Sequence, residues 1–267
     1  MLRINNLTIE FHDHSRPEIA VDSISFQISE GEILGIVGES GSGKSMTALA
    51  IAGLLNRGDI TKSGEILWEG RDLLFAKRSE LRKLQGQEIA MVFQDPLTGL
   101  NPLQKIGWQV EEALRVHGEK EKAVMKEKAL EALERVKLPD ASCVYQMYPH
   151  ELSGGMRQRV MIAAAMISKP KLLIADEPTT ALDVTVQAEI IELLKEINRE
   201  NKTAILFISH DLSLIRQLAD RVLVMKDGII VEEGSVEEIF KNPQNAYTQA
   251  LMDAIPVIRK DRGCCDA

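Results

Sequence analysis

The first segment able to do chemistry is glycine-rich and ends in a lysine and a serine. Residues 38–45 read Gly-Glu-Ser-Gly-Ser-Gly-Lys-Ser, the G-x-x-x-x-G-K-S pattern of a phosphate-binding loop (P-loop). Glycines let successive backbone N–H groups curl around a phosphate, and a following helix adds its positive N-terminal end. Lys44 supplies a charge for the β- and γ-phosphates, and Ser45 a hydroxyl for Mg²⁺. The residues predicted to hold nucleotide here are Gly38, Glu39, Ser40, Gly41, Ser42, Gly43, Lys44 and Ser45.

A pair of acids at the end of an apolar run forms the second candidate site. Residues 172–175 are apolar and are followed by Asp176 and Glu177. A strand buried to its tip would deliver Asp176 to the coordination shell of Mg²⁺, where a carboxylate is a preferred ligand. Glu177 can orient or deprotonate a water in line with the γ-phosphate. The alternative, an acidic helix N-cap before Pro178, is disfavoured because the P-loop is in the same chain.

Apolar periodicity predicts the elements that position these residues. A continuous apolar run directly before the P-loop indicates a strand buried on both faces, and an Ala- and Leu-rich helix follows the loop. The predicted strands are 2–11, 24–28, 33–37, 60–70, 89–93, 172–175, 204–209, 222–225 and 229–231. The predicted helices are 44–55, 119–137, 184–198 and 211–219, with only helices between 102 and 168. The pattern favours a parallel α/β core with an N-terminal β layer and an inserted helical segment.

Composition excludes several classes of protein. The 267 residues carry 32 Lys and Arg against 40 Asp and Glu, a formal charge of −8, which argues against a dedicated nucleic-acid binder. The longest apolar runs fall far short of the roughly 18 residues needed to span a bilayer, and the first residues alternate polar and apolar without a signal-peptide pattern. Three cysteines are too few for a disulfide scaffold, so a reducing cytoplasm is expected.

Four further segments identify a family. Residues 152–158, Leu-Ser-Gly-Gly-Met-Arg-Gln, closely resemble the signature motif of ATP-binding cassette (ABC) ATPases, usually LSGGQ. Gln94 resembles the Q-loop glutamine, residues 181–183 resemble the D-loop, and His210 resembles the switch histidine. Together with the P-loop and the acidic pair, these motifs occur in the family's order. Met156 departs from the commoner glutamine, and we expect no effect on ATP binding.

The resemblance implies a fold and a set of roles. The fold is a P-loop NTPase (RecA-like) α/β core with an N-terminal antiparallel β subdomain and an inserted α-helical subdomain. Two subunits sandwich two ATP molecules, each bound between one P-loop and the partner's signature motif. Glu177 is then the general base, His210 contacts the γ-phosphate, and Gln94 links the nucleotide to a partner. The implied nucleotide contacts beyond the P-loop are Ser153, Gly154, Gly155 and Asp183, and the implied Mg²⁺ ligands are Ser45, Gln94 and Asp176.

Finer resemblances favour an importer of the peptide and nickel group. Residues 242–251, Asn-Pro-Gln-Asn-Ala-Tyr-Thr-Gln-Ala-Leu, are similar to that branch's C-terminal tail. The resemblance implies an ATPase domain over 1–240, a helical subdomain over 97–168 and a family-type tail over 241–267. It also implies a peripheral position on the cytoplasmic face of the cell membrane.

The implied partners are two transmembrane permease subunits, a second identical or related ATPase and an extracytoplasmic solute-binding protein. We expect the permease to dock near 97–103, unless the insertion serves only to position Ser153. The alternative function is a soluble ABC ATPase of translation or DNA repair; a GTPase is weaker, because its N-K-x-D motif is absent. The adenine contact stays open, since 12–17 contains no Tyr or Trp and His14 could stack there. An iron–sulfur cluster on Cys264 and Cys265 is not expected, because two adjacent thiols cannot supply the usual four ligands.

Overall fold

The chain folds into two β-sheets and the helices that pack against them. The computed structural model describes residues 1–12, 17–55, 57–95, 99–180 and 182–254. The strands are β1 Leu2–Phe11, β2 Glu18–Ile28, β3 Ile33–Val37, β4 Ile60–Trp68, β5 Arg71–Asp72, β6 Ile89–Val92, β7 Leu172–Asp176, β8 Ala204–Ser209, β9 Arg221–Lys226 and β10 Ile229–Ser235. The first helices are α1 Lys44–Ile51, α2 Arg78–Leu84, α3 Ile106–Val110, α4 Glu112–Val116 and α5 Lys122–Arg135. The later helices are α6 Ala141–Gln146, α7 Gly154–Met166, α8 Val184–Asn201, α9 Leu212–Leu218, α10 Val236–Lys241 and α11 Ala246–Asp253.

A six-stranded sheet carries the ends of the predicted functional segments. Its strand order is β10-β9-β3-β8-β7-β6, with parallel pairing from β9 to β6 and an antiparallel edge at β10. Every residue of β3, β7 and β8 is buried, as continuous apolar runs predict for strands covered on both faces. Alternate residues of one strand therefore belong to different cores: Leu172 and Ile174 pack in one, and Leu173 and Ala175 in the other.

The second sheet is antiparallel and lies over one of these cores. Its order is β2-β1-β4-β5, and the apolar residues of β1 that alternate along the strand are buried beneath it. The pairing of β1 with β4 shifts register between Asn5 and Thr8. Gly64 faces this irregularity with φ +93°, and a β-carbon there would collide with the backbone of Asn6. The glycine is thus required by the bulge rather than by a turn.

Helices cover the opposite face of the parallel sheet. Helices α3 to α7 form the inserted helical segment and share one core with α8, α9 and the sheet. No strand interrupts the described residues between 99 and 171. Among the residues that the structure describes, none of the helices has the length and apolar character needed to cross a membrane.

The predicted fold class is confirmed, while several element boundaries were wrong. The helix after the P-loop ends at Ile51 rather than at residue 55, because Gly53 follows in the left-handed region with φ +68°. The helix predicted over 119–137 spans Lys122–Arg135. The strand predicted from residue 24 begins at Glu18, and α2 was not predicted. The division into 1–240 and 241–267 stays a prediction.

Candidate active site at the carboxyl edge of the parallel sheet

Four neighbouring parallel strands end at one edge and bring distant residues together. In the order β3-β8-β7-β6, they are followed by the P-loop, His210, Glu177 and Gln94, respectively. The carboxyl ends of parallel strands form the usual ligand crevice of such sheets. The candidate site is therefore assembled by strand order, not by nearness in sequence.

Close backbone contacts fix the shape of the P-loop. A β-carbon on Gly38 would collide with the carbonyl oxygen of Met225 in β9. Gly43 has φ +97°, and a β-carbon there would lie 2.5 Å from the carbonyl oxygen of Ala20 in β2. Both glycines are needed where the loop passes against the two sheets. The loop then enters α1, whose N-cap is Gly43.

The ammonium group of Lys44 is held inside the loop. Its Nζ donates to the carbonyl oxygens of Gly38 at 2.8 Å and Glu39 at 2.7 Å, and to Ser42 Oγ at 3.3 Å. Burial lowers the pKa of Lys44, and the negative charges of Glu177, Asp176 and Glu39 oppose that shift. The carboxylates hold a positive charge at a place where desolvation alone would disfavour it.

Ser45 and Asp176 join the loop to the end of β7. Ser45 Oγ donates to Asp176 Oδ1 at 3.0 Å. Asp176 is only 6% exposed, and this burial raises the pKa of its carboxyl above the ordinary value. The Ser45 hydrogen bond and the charge of Lys44 counteract the shift, whereas the neighbouring Glu177 adds to it. A hydroxyl and a carboxylate in contact are the oxygen ligands that Mg²⁺ prefers.

Gln94 and His210, predicted from separate segments, both reach the carboxylate of Glu177. Its Oε2 accepts from Gln94 Nε2 at 3.0 Å and from Thr180 Oγ1 at 2.9 Å, and lies 3.1 Å from His210 Nδ1. Because an ionised carboxylate only accepts, Nδ1 of His210 must carry the proton in this contact. Thus residues predicted from three separate segments meet at one oxygen atom.

The backbone of Glu177 explains how its side chain leaves the sheet. Its φ is +45°, uncommon for a residue other than glycine, and its N–H donates to Ile208 O of β8 at 3.0 Å. A turn follows, and not the helix that would have made Asp176 and Glu177 an N-cap. The Glu177 side chain is 14% exposed, against 60% for His210. The carboxylate is thus sheltered, while the histidine faces open space.

The signature motif lies at the start of a different helix, which packs against the start of α8. Ser153 is the N-cap of α7, its Oγ accepting from Met156 N at 3.3 Å. Asp183 is likewise the N-cap of α8, its Oδ1 accepting from Val186 N at 3.0 Å. A β-carbon on Gly155 would lie 2.7 Å from Val186 Cγ1, so the start of α7 packs closely on α8. Within the described part of the chain, no hydrogen bond joins Ser153 to the P-loop.

The sequence analysis missed one residue of the site, Thr180. It also assigned roles to several residues that lie outside the part of the chain that the structure describes. Thr180, whose hydroxyl reaches Glu177, lies three residues after it in a proline-initiated turn, and that short spacing was the available signal. His14, Leu97, Thr98, Ala181, Cys264 and Cys265 fall outside the described residues. The roles assigned to the site residues stay predictions.

Three family profiles match the chain. The ABC transporter family matches residues 21–180, and the C-terminal region of oligopeptide/dipeptide transporters matches 231–265. A match to an AAA domain, described as a putative AbiEii toxin of a type IV toxin–antitoxin system, covers 145–216. The range of this last match includes the signature motif, the acidic pair and His210.

Curated relatives are similar along nearly the whole chain. The dipeptide transport ATP-binding protein DppD of Haemophilus influenzae is 48% identical over 256 residues, which cover 96% of this chain and 78% of that protein. The Escherichia coli K12 DppD is 47% identical over 262 residues, with 98% and 80% covered. The oligopeptide transport ATP-binding protein OppD of Bacillus subtilis 168 is 47% identical over 259 residues, with 97% and 72% covered.

Solved structures agree with these relatives. The ATP-binding cassette MJ0796, in a dimeric post-hydrolysis state bound to ADP and Pi, superposes with a TM-score of 0.80 at 30% identity. The match covers 88% of this chain and 99% of that one. From the family profile, the relatives and this likeness together, the chain belongs to the ABC transporter family of ATP-binding proteins and is an ABC ATPase.

Proposed function

We propose that this chain is the ATP-hydrolysing subunit of an ABC importer that takes up peptides. One observation carries the catalytic part: Gln94, Thr180 and His210 converge on Glu177 beside the Ser45–Asp176 pair. The dipeptide and oligopeptide transport relatives support the substrate class and favour peptides over nickel or nickel chelates. The match of residues 231–265 to a transporter C-terminal region disfavours a soluble ABC ATPase of translation or DNA repair.

In the proposed reaction the loop binds and orients the triphosphate. Backbone N–H groups of 38–45, apart from those of Glu39 and Ser42, which donate within the chain, would face the phosphates together with the N-terminus of α1. The Lys44 ammonium would supply the charge. Ser45, Asp176 and Gln94 would hold Mg²⁺, and the Ser45–Asp176 contact fits an oxygen-ligand site. When bound, Mg²⁺ neutralises negative charge that develops on the phosphate oxygens.

Glu177 is the proposed general base. A sheltered carboxylate that accepts several hydrogen bonds is fixed in position and can take a proton from an attacking water. His210 Nδ1 faces that carboxylate, and its other ring nitrogen would donate to a γ-phosphate oxygen in the imidazolium form, in which both ring nitrogens carry protons. Gln94 donates to the same carboxylate, so a change at Glu177 on ATP binding or hydrolysis would move Gln94 and the helical segment that follows it.

The site is completed by a second subunit in this proposal. Ser153, Gly154 and Gly155 begin α7, whose N-terminal backbone N–H groups suit an anion. They would contact ATP on the P-loop of the partner, with Asp183 next to that interface. Val184, directly after Asp183, is 81% exposed, which fits a residue that a partner covers. The partner can be a second copy or a related cassette.

An apolar groove beside Gln94 is the proposed docking site for a permease helix. It encloses about 380 Å³ and is lined by residues that include Leu54, Phe93, Leu100, Val116 and Met161. Phe93 is 40% exposed and Val116 67% exposed, so apolar side chains reach its rim. A short amphipathic helix is the occupant that fits such a groove. Docking there would place the chain on the inner face of the membrane.

One tight helix contact supports α3, the helix that contributes Gln109 to the groove. Gly107 in α3 lies against the ring of Tyr145 in α6, and a β-carbon on Gly107 would overlap that ring. The Tyr145 hydroxyl donates to Glu111, which also pairs with Arg115 at 2.8 Å. Burial and the Glu111 carboxylate raise the pKa of Tyr145 to about 12, so it remains a donor. The guanidinium of Arg115 in turn lies 4.2 Å from the ring centroid of Trp108.

The proposal is tested by separating docking from ATP binding. Val116→Asp places a charge on the groove rim, whereas Phe75→Asp changes an equally exposed apolar residue, 68% against 67%, that does not line the groove. We expect Val116→Asp to abolish uptake of a labelled dipeptide and membrane association in cells that carry the transporter. Phe75→Asp should preserve both, and both purified variants should bind ATP normally. Normal uptake with Val116→Asp would contradict the docking site.

A further inference from the structure

The segment that follows the last sheet strand is anchored beside the P-loop. The Glu232 carboxylate in β10 accepts from Gln244 N at 2.7 Å and Asn245 N at 3.1 Å. Asn245 is the N-cap of α11, its side-chain oxygen accepting from Tyr247 N at 2.8 Å. These contacts fix the first turn of α11, and Thr248 in that turn is fully buried. The position of Tyr247 is therefore set by the sheet.

Tyr247 reaches the phosphate-binding loop directly. Its hydroxyl oxygen accepts from the backbone N–H of Glu39 at 3.0 Å, a contact between residues 208 positions apart. The ammonium group of Lys226 in β9 lies 5.0 Å from the centre of the Tyr247 ring. A cation over an aromatic face is attractive, so Lys226 restrains the ring from its side.

The peptide group that Tyr247 contacts is the one that holds Lys44. The N–H of Glu39 and the carbonyl of Gly38 belong to the same planar trans peptide unit, in which they point in opposite directions. Gly38 O accepts from Lys44 Nζ at 2.8 Å, while Glu39 N donates to Tyr247. A hydrogen bond that fixes the N–H side of this plane also fixes the carbonyl side. Tyr247 thus acts on Lys44 through one rigid group.

We propose that Tyr247 is a positioning residue for ATP binding, through which the C-terminal segment orients the P-loop. The inference rests on the proposed role of Lys44 and its loop as the phosphate site. It adds a requirement that the loop motif does not contain: a hydrogen-bond acceptor supplied from α11. Because the phenol contacts the backbone of the loop and, among the described residues, none of those proposed for the chemical step, its role is in ATP affinity and not in the chemical step.

Tyr247→Phe removes only the acceptor. Glu39 is exposed, so its freed N–H can bond to water, and the expected loss is that of one ordinary hydrogen bond. We expect the Kd and KM for ATP to rise about three- to tenfold, with kcat within twofold of that of the unmodified chain. Tyr145→Phe is the matched control, since it deletes the same atom from another hydrogen bond that lies in the helical segment. It should leave the Kd for ATP unchanged.

Hydrogen exchange provides a readout that does not depend on activity. In the full-length chain without nucleotide, the Glu39 amide should exchange faster in Tyr247→Phe than in Tyr145→Phe. Lys226→Met, which retains Tyr247 but removes the cation above its ring, should shift the Kd for ATP in the same direction by a smaller factor. This second variant also serves if Tyr247→Phe does not fold.

The outcomes separate this inference from the proposed function. If Lys44→Ala abolishes ATP binding while the folded Tyr247 and Lys226 variants bind ATP like the unmodified chain, the positioning role is overturned and the phosphate site stands. A lower melting temperature of Tyr247→Phe with an unchanged Kd would also overturn it, because the residue would then be only structural. Normal ATP binding by Lys44→Ala would overturn the phosphate site itself.

Discussion

Replacement of Glu177 by glutamine tests the proposed base with little disturbance of the fold. The hydrogen bonds from Gln94, Thr180 and His210 all reach one oxygen, Oε2. The carbonyl oxygen of a glutamine can occupy that position and accept the same bonds. Its NH₂ group then takes the place of Oε1, to which no hydrogen bond is directed from the described residues. We expect the free energy of unfolding to change by less than about 1 kcal/mol.

The effect on catalysis should be far larger than the effect on binding. A positioned general base contributes about 10²- to 10⁴-fold to a rate, so kcat should fall by that factor. ATP binding should persist because Lys44, Ser45 and Asp176 are unchanged. The charge of Glu177 acts on Lys44 and lies near the phosphate site, so its removal also reduces repulsion toward ATP. The Kd for ATP should therefore be equal or lower in Glu177→Gln.

The measurement combines phosphate release in a single turnover with ATP titration by calorimetry. Glu127→Gln makes the same chemical change on an exposed position of α5 and should leave both quantities unchanged. The Glu177 variant should also accumulate as a dimer in the presence of ATP, as seen by size-exclusion chromatography. If its phosphate-release rate stays within a few-fold of the unmodified chain, another group takes the proton and the assignment of Glu177 is refuted.

Three further predictions concern residues around the same site. Gly43→Ala should lose about 3 kcal/mol of unfolding free energy and ATP binding, whereas Gly41→Ala, with φ +84° but open space around it, should lose only about 1 kcal/mol, both measured by urea unfolding and ATP titration. Asp176→Asn should melt at a higher temperature than the unmodified chain near neutral pH: burial raises the pKa of Asp176, so its ionisation lowers stability as pH rises above the ordinary value. That advantage should shrink toward pH 4, and MgATP should stabilise the variant less; an advantage that does not depend on pH would contradict the argument. Asp183→Ala should lose about 1 kcal/mol of stability and Asp183→Asn almost none, because asparagine keeps the α8 N-cap; equal losses would show that the cap is not the cause.

Local pattern was sufficient for the elements that end at the site. The runs before Lys44 and Asp176 are continuous and apolar, so burial on both faces, and hence a parallel sheet, followed directly from the sequence. Helix ends were less accessible: α1 stops early because Gly53 adopts a positive φ, although the apolar pattern continues beyond it. The short helix α2 buries only Leu81 and Leu84, too few positions for a periodic signal.

The contacts within the site required the tertiary structure. Gln94 and His210 were identified by family resemblance, but their meeting at one oxygen of Glu177 follows from the strand order β8-β7-β6, which no local pattern contains. The contact of Tyr247 with Glu39 is a side chain acting on backbone across most of the chain. Such a contact produces no recognisable spacing of residue types in the sequence, because one partner is a main-chain amide that every residue except proline has.

The glycine at position 107 gives the proposed docking groove an unexpected dependence. Its missing β-carbon lets the ring of Tyr145 lie against α3, two positions before the groove residue Gln109. A larger residue at 107 would push α3 and α6 apart and tilt the groove wall, although every residue that a partner touches would stay the same. If a permease helix docks in this groove as proposed, the choice of one permease over another would depend partly on the packing between α3 and α6. Comparison of rim residues alone would overlook that difference between two related cassettes.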